Sequence, residues 1–206
     1  MEFILTESEL NEDNTAWNGN RFLMGNGYFG IRGTLEEYTK KQMCAVNMAG
    51  IYDKMGNSWR ESVNAPNPLY TYIKVNGKIY ALPDEKPKFH QQELDFRYGI
   101  HSRVTHWQTE HGNITVVCER FASIARQHNI AMKYTFSVDF DCEAEIITGI
   151  DGDVWDINGP HFVKMKIGSK DGADYVTGMT GEKNISVTVK RSEERRVGKE
   201  CRSRWS

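Results

Sequence analysis

The chain has 206 residues, of which 39% are hydrophobic, 26% charged and 11% aromatic, with 18 glycines and only 5 prolines. These proportions describe one ordinary globular domain and exclude collagen-like, low-complexity and wholly disordered chains. A formal net charge of −2 gives no case for a nucleic-acid partner, and no uninterrupted apolar run reaches the length of a membrane span.

The chain opens acidic, with no lysine or arginine before Arg21, a composition unlike a signal or transit peptide. Helical periodicity is confined to residues 9–17 and 35–41, each enough for a turn or two. Residues 43–52, small and apolar, read as a buried strand. Residues 69–75 alternate, Asn76-Gly77 turns the chain, and residues 78–82 return, the strongest short-range signal for a hairpin. Strand patterns follow at 89–96, 100–108 and 113–121, divided by turn residues at Tyr98-Gly99 and at Glu110 to Gly112. Residues 129–139 form a long strand candidate with Ile130, Met132, Tyr134, Phe136 and Val138 on one side. Segments 143–150, 161–167, 174–178 and 184–190 complete the run. Many short strands and few helices predict an all-β fold, an antiparallel sandwich in one domain.

The last sixteen residues, 191–206, break the pattern with six basic and three acidic side chains. A DNA string that looks like a common short-read sequencing adapter translates to these residues without a mismatch. The expectation is a non-native tail over 191–206, a β-sandwich body over 1–190, and a natural reading frame that continues beyond residue 190. The four cysteines, Cys44, Cys118, Cys142 and Cys201, make no zinc spacing, and reduced thiols in a cytoplasmic protein are expected.

No motif completes a catalytic constellation. Gly25-Asn-Gly27-Tyr-Phe-Gly30 has the spacing of a dinucleotide loop, yet strand and turn residues follow it where a helix must open, so tight turns are expected instead. Asp151-Gly-Asp153-Val-Trp-Asp156 begins like a calcium loop but places Trp155 where an oxygen ligand belongs. His101, His106 and His111 recur at intervals of five, so on a strand His106 points away from the other two and no metal triad forms. Glu36-Glu37 and Glu143/Glu145 are carboxylate pairs without a proton partner. Among the aromatics, Trp59, Trp107 and Trp155 are candidates for stacking on sugar rings, against the alternative that they fill the core.

The run from Asn20 through Gly25-Asn-Gly27-Tyr-Phe-Gly-Ile-Arg-Gly33 to Glu36-Glu37 resembles the signature that opens the N-terminal domain of glycoside hydrolase family 65. Five further stretches match in register: Ala49 to Asp53, Val63 to Asn67, Glu93 to Arg97, Glu119 to Ser123 and Gly149 to Gly152. The resemblance implies a super-sandwich of the galactose-mutarotase type, incomplete at its C-terminus. In the family a helical linker, an α/α-barrel catalytic domain and a small C-terminal sheet follow. It also implies a parent enzyme, expected as a homodimer, that cleaves an α-linked glucose disaccharide by inverting attack of inorganic phosphate, or by hydrolysis. The general acid and phosphate site belong to the barrel, so no residue here inherits a catalytic role, and no metal or organic cofactor is implied. Arg32, Glu36 and Glu37 are expected to have a structural or domain-interface role. The rival readings are a stand-alone carbohydrate-binding module and a dimerisation module.

Overall fold

The computed structural model describes residues 3–11, 14–82 and 84–194. Its elements in chain order are β1 (Ile4–Glu7), α1 (Thr15–Arg21), β2 (Met24–Gly25), β3 (Phe29–Ile31), a 3₁₀ turn (Lys40–Gln42), β4 (Val46–Asp53) and β5 (Glu61–Asn64). Then come β6 (Thr71–Val75), β7 (Lys78–Tyr80), β8 (Phe89–Asp95), β9 (Ile100–Gln108), β10 (Asn113–Ala122) and β11 (Ile130–Val138). The last four are β12 (Ala144–Thr148), β13 (Phe162–Lys170), β14 (Ala173–Thr180) and β15 (Ser186–Ser192). Every pairing between strands is antiparallel. No helix of the described residues is long and apolar enough to cross a membrane.

One layer is a five-stranded sheet in the order β1-β8-β9-β10-β11. Three smaller sheets, β2-β3-β4-β5, β12-β6-β7 and β13-β14-β15, make up the rest. Strict alternation assigns the faces of the large sheet: His101, Arg103, Thr105 and Trp107 of β9 point inward, as do Ile114, Val116, Cys118 and Arg120 of β10. One core cluster joins Ile73 and Val75 of β6 and Tyr80 of β7 to Trp107, Ile114 and Val116. A second joins Met24, Phe29, Ile31 and Val46 to Leu94 of β8 and Val187 of β15. Ile73, Ile114 and Val116 have no exposed surface, and burial of each such side chain contributes about 1.5–3 kcal/mol. The two layers sealed by these clusters are the expected all-β sandwich.

The hairpin at Asn76-Gly77 forms as expected, both residues taking positive φ (50° and 77°), the twist-matched turn for two adjacent strands. Three local expectations are corrected. The first helix is Thr15–Arg21 rather than residues 9–17, and Asn18 and Gly19 are its buried residues, so it docks through small groups and not an apolar stripe. Residues 35–39 are not helical and the expected turn is confined to Lys40–Gln42, because Leu35, Glu36, Glu37 and Tyr38 are all buried in succession and a helix offers no such continuous inward face. A 3₁₀ turn closed by a Thr39/Gln42 capping box follows them. The buried strand expected at 43–52 forms as β4, Val46–Asp53, buried only at its two ends, and between them its ladder with β5 loses register from Asn47 to Tyr52.

Strand β15 runs two residues past the expected boundary at 190. Arg191 Nη1 donates to the carbonyls of Pro68 (2.8 Å), Tyr70 (3.0 Å) and Gly149 (3.0 Å). Residues 195–206, most of the expected tail and including Cys201, lie outside the described residues.

Candidate functional site

The glycine-rich run is a hairpin. Met24-Gly25 pairs with Gly30 and Ile31, and Asn26 organises the turn by accepting from the amides of Tyr28 (3.0 Å) and Phe29 (3.1 Å). Its side-chain amide donates outward to the carbonyls of Ser123 (2.7 Å) and Gln127 (3.0 Å), tying the turn to the β10–β11 connection. No helix opens after it, which removes the dinucleotide reading on physical grounds.

Arg32 and Gly33 dock the next segment onto α1. Arg32 Nη2 donates to Ala16 O (2.6 Å) and the Gly33 amide to Gly19 O (2.8 Å). A Cβ on Gly33 would lie 2.2 Å from Phe22 Cβ, so glycine is required here for close approach rather than for a special φ.

From that anchor the chain delivers Glu36 and Glu37 into the interior. Glu36 Oε1 accepts from Arg120 Nη1 (2.9 Å), and its Oε2 lies 2.8 Å from Arg103 Nε without hydrogen-bond alignment. Glu37 takes Arg103 through two parallel bonds, Nη1 to Oε1 at 3.0 Å and Nη2 to Oε2 at 2.6 Å. Arg120 Nη2 also donates to the Thr34 carbonyl. The four side chains are at most 1% exposed. Burial alone would raise the Glu36 pKa, but the two guanidinium groups hold it down at about 2. Glu37, with one guanidinium and Glu36 beside it, is pushed up by burial. Burial, aided by Arg103, lowers His90 to about 4. Burial with Arg120 keeps His101 neutral, its ring edge-on to Phe22. Two positive and two negative charges therefore close on each other inside the sandwich. These carboxylates, read as interface candidates, lie within the domain and not on its surface.

A second titratable group was not read from the sequence. His161, 1% exposed, lies between Asp53 of β4 and Glu61 of β5: Nδ1 is 3.2 Å from Asp53 Oδ2 and Nε2 is 2.6 Å from Glu61 Oε1. Asp156 joins them from the loop before β13, and ligand atoms of Glu61, Asp156 and His161 all lie within 4.8 Å of one another. Asn158 donates to Glu61 through its amide (2.9 Å) and its side chain (3.2 Å), and the Glu182 amide donates to Asp53 Oδ1 (2.8 Å). Burial would lower the His161 pKa, but Glu61, Asp156 and Asp53 together raise it. The signal in the sequence was the aspartate run 151–156: it makes no calcium loop, but its last member, Asp156, reaches a histidine five residues on.

His101 is buried and His106 faces the opposite side of β9, as the strand geometry predicted, whereas His111 lies beyond the strand, exposed in the following turn. Of the stacking candidates, Trp107 is corrected to a core residue. It is 2% exposed, edge-on to Tyr80, and its indole donates to Glu85 O at 2.9 Å, so neither face meets solvent. Trp59 is 64% exposed and Trp155 is partly buried.

The family described as "Glycosyl hydrolase family 65, N-terminal domain" matches residues 5–202. The chain is 51% identical over 166 residues to nigerose phosphorylase of Lachnoclostridium phytofermentans, a match covering 81% of this chain and 22% of that protein. It is 37% identical over 172 residues to 1,2-alpha-glucosylglycerol phosphorylase of Bacillus selenitireducens, covering 83% and 22% respectively. With kojibiose phosphorylase of Halothermothrix orenii it shares 32% over 193 residues, 91% of this chain and 24% of that one. A solved structure assigned as a kojibiose phosphorylase from the human microbiome superposes with a TM-score of 0.81 over 90% of this chain and 26% of that chain, at 19% identity, a likeness of fold. The chain thus spans about a quarter or less of the length of these relatives.

Proposed function

Since the chain belongs to glycosyl hydrolase family 65 through its N-terminal domain, we propose that it is the scaffold domain of a cytoplasmic, homodimeric enzyme that splits an α-linked glucose disaccharide by inverting phosphorolysis. The observation that carries this reading is the closed ion cluster: the charged residues of the signature, Glu36 and Glu37, spend their charge on Arg103 and Arg120 inside the domain. A carboxylate used as general acid needs a proton route to a substrate; these two have none, and their work is to fix the segment 33–38 against the large sheet. The chemistry then falls to the missing barrel domain, with disaccharide and inorganic phosphate as its substrates. The names of the relatives, all phosphorylases of glucosyl compounds, favour phosphate over water as the acceptor.

The test is a chimera. The corresponding N-terminal segment of the Lachnoclostridium phytofermentans protein is replaced by residues 1–190, and release of glucose 1-phosphate from nigerose, kojibiose, maltose and trehalose is assayed with phosphate. Activity in the chimera and none in the 206-residue chain alone is the expected result. Turnover by the chain alone, or a folded chimera without activity, would overturn the scaffold reading. The proposal also takes residues 191–206 as foreign, on the strength of the adapter-like translation. Resequencing the source locus across codon 190 checks it, and a native frame reading Arg191 to Ser206 would refute it.

A further inference from the structure

We infer that Glu61, Asp156 and His161 form a binding site for a divalent transition-metal ion of the zinc class, with Asp53 orienting the histidine. The inference is independent of the scaffold reading, since it concerns a structural clasp at a place the closed ion cluster does not touch.

The first ground is geometry. One nitrogen and two carboxylates converge from two parts of the chain a hundred residues apart, Glu61 of β5 and the loop that carries Asp156 and His161, with ligand atoms within 4.8 Å of one another. Zinc holds nitrogen and oxygen ligands at about 2.0–2.2 Å, so tetrahedral neighbours lie about 3.3 Å apart. The spacing admits such an ion once the contact between Glu61 Oε1 and His161 Nε2, now 2.6 Å, opens by less than an ångström. Asp156 is only partly buried and gives the ion a path from solvent, while His161 closes the back of the site.

The second ground is charge, and it does not depend on the first. The side chains of Asp53 and Glu61 are 2% and 8% exposed, and His161 is the one cationic partner in ion-pair range of either among the described residues. Arg60, next in sequence, commits its guanidinium to Glu182. Asp156 adds a third carboxylate, and among the described residues no lysine or arginine pairs with it. Even with an imidazolium at its centre the group carries excess negative charge out of water, a costly arrangement that a divalent cation relieves.

The third ground is the surrounding shell. Metal-binding histidines commonly give their other ring N–H to a carboxylate, which fixes ring and tautomer. Asp53 Oδ2 stands 3.2 Å from Nδ1 in that position and is itself held by the Glu182 amide. Asn158 fixes Glu61 through two donors. The nitrogen-plus-carboxylate donor set suits zinc, cobalt or manganese better than calcium, which takes oxygen ligands alone. Bound there, the ion would join β5 to the loop entering β13, with β4 attached through Asp53 and the histidine.

The experiment uses the full 206-residue chain with Cys201→Ser, so that the tail thiol cannot contribute, after chelator treatment. Zn²⁺ is titrated by calorimetry and by competition with a chromophoric chelator, and Co²⁺ is added in parallel for its visible absorption. One ion per chain is expected, with affinity falling at least tenfold in Asp156→Asn and in His161→Gln. Asp153→Asn, in the same loop but outside the group, should leave it unchanged. Zn²⁺ should raise the thermal midpoint of the parent chain and not that of Asp156→Asn, a variant at a partly exposed position. Absence of stoichiometric binding, binding that survives Asp156→Asn, or an equal loss with Asp153→Asn would each overturn the site.

Discussion

Arg103 on β9 and Glu37, sixty-six positions earlier, meet as a two-pronged ion pair with no exposed guanidinium surface, at 3.0 and 2.6 Å. Such a pair is a weak source of net stability but a strong penalty when broken, because the survivor is left charged and dry. Arg103→Met is therefore expected to cost about 3–5 kcal/mol in urea unfolding, and Arg103→Lys most of that, since an ammonium cannot reach Glu36 and both Glu37 oxygens together. A loss below about 1 kcal/mol for Arg103→Met would mean the pair behaves like a surface one.

The same cluster sets an acid limit. The Glu36 pKa is lowered from 4.5 to about 2 in the folded domain, so its contribution is fully present above about 4.5 and is lost as pH falls toward 2. The size is on the order of 3 kcal/mol. Glu37, shifted the other way, favours the folded state as acid protonates it and softens the net decline. Unfolding free energies of the parent chain and Glu36→Gln should therefore hold a constant gap above about pH 4.5 and converge as pH falls from there toward about 2. A gap independent of pH would show that Glu36 does not titrate with folding.

Gly33→Ala tests the docking of the signature onto α1. The added methyl would meet Phe22 at Cβ (2.2 Å) and at its backbone carbonyl carbon and oxygen (2.7 Å), atoms that cannot swing away. Overpacking of this kind costs about 1–3 kcal/mol or more. Gly27→Ala is the contrast: nothing lies within 4 Å, and its strain comes from a φ of +86° alone. A thermal midpoint for Gly33→Ala equal to the parent's would contradict the tight approach.

Much of the sandwich was legible because β8, β9 and β10 bury every second residue. The alternation over 100–108 and 113–121 marks β9 and β10 to within a residue, since inward and outward positions differ in kind. Strands β1 and β5 were not read: four residues such as Glu61-Ser-Val-Asn64 carry too little pattern, and β5 exists by pairing with β4. The ion cluster left a sign that was not followed. Arg103 and Arg120 fall in phase with Trp107 and Ile114, so they point inward and must find carboxylates. Glu36-Glu37 reads in sequence as a carboxylate pair without a partner, whereas it lies in a turn from which both carboxylates reach Arg103. His161 and Glu61 stand a hundred positions apart, and no spacing rule reaches that far.

The tryptophans separate the scaffold from the rival reading of a carbohydrate-binding module. A stacking platform needs an aromatic face in solvent and polar groups beside it to hold the hydroxyls. Trp107 fails the first condition, being 2% exposed. Trp59 meets it at 64%, but residues 54–60 around it are all exposed, so no wall stands opposite the ring. Trp155 is partly buried, and its backbone carbonyl holds Asn64 (3.0 Å), so its segment serves the fold. Maltose or trehalose titrated into the 206-residue chain should therefore give no saturable change in tryptophan fluorescence, and Trp59→Ala should leave stability within about 0.5 kcal/mol of the parent. Saturable millimolar binding abolished by Trp59→Ala would move the function from scaffold to sugar-binding module, because a domain that only braces a barrel has no reason to hold a sugar by itself.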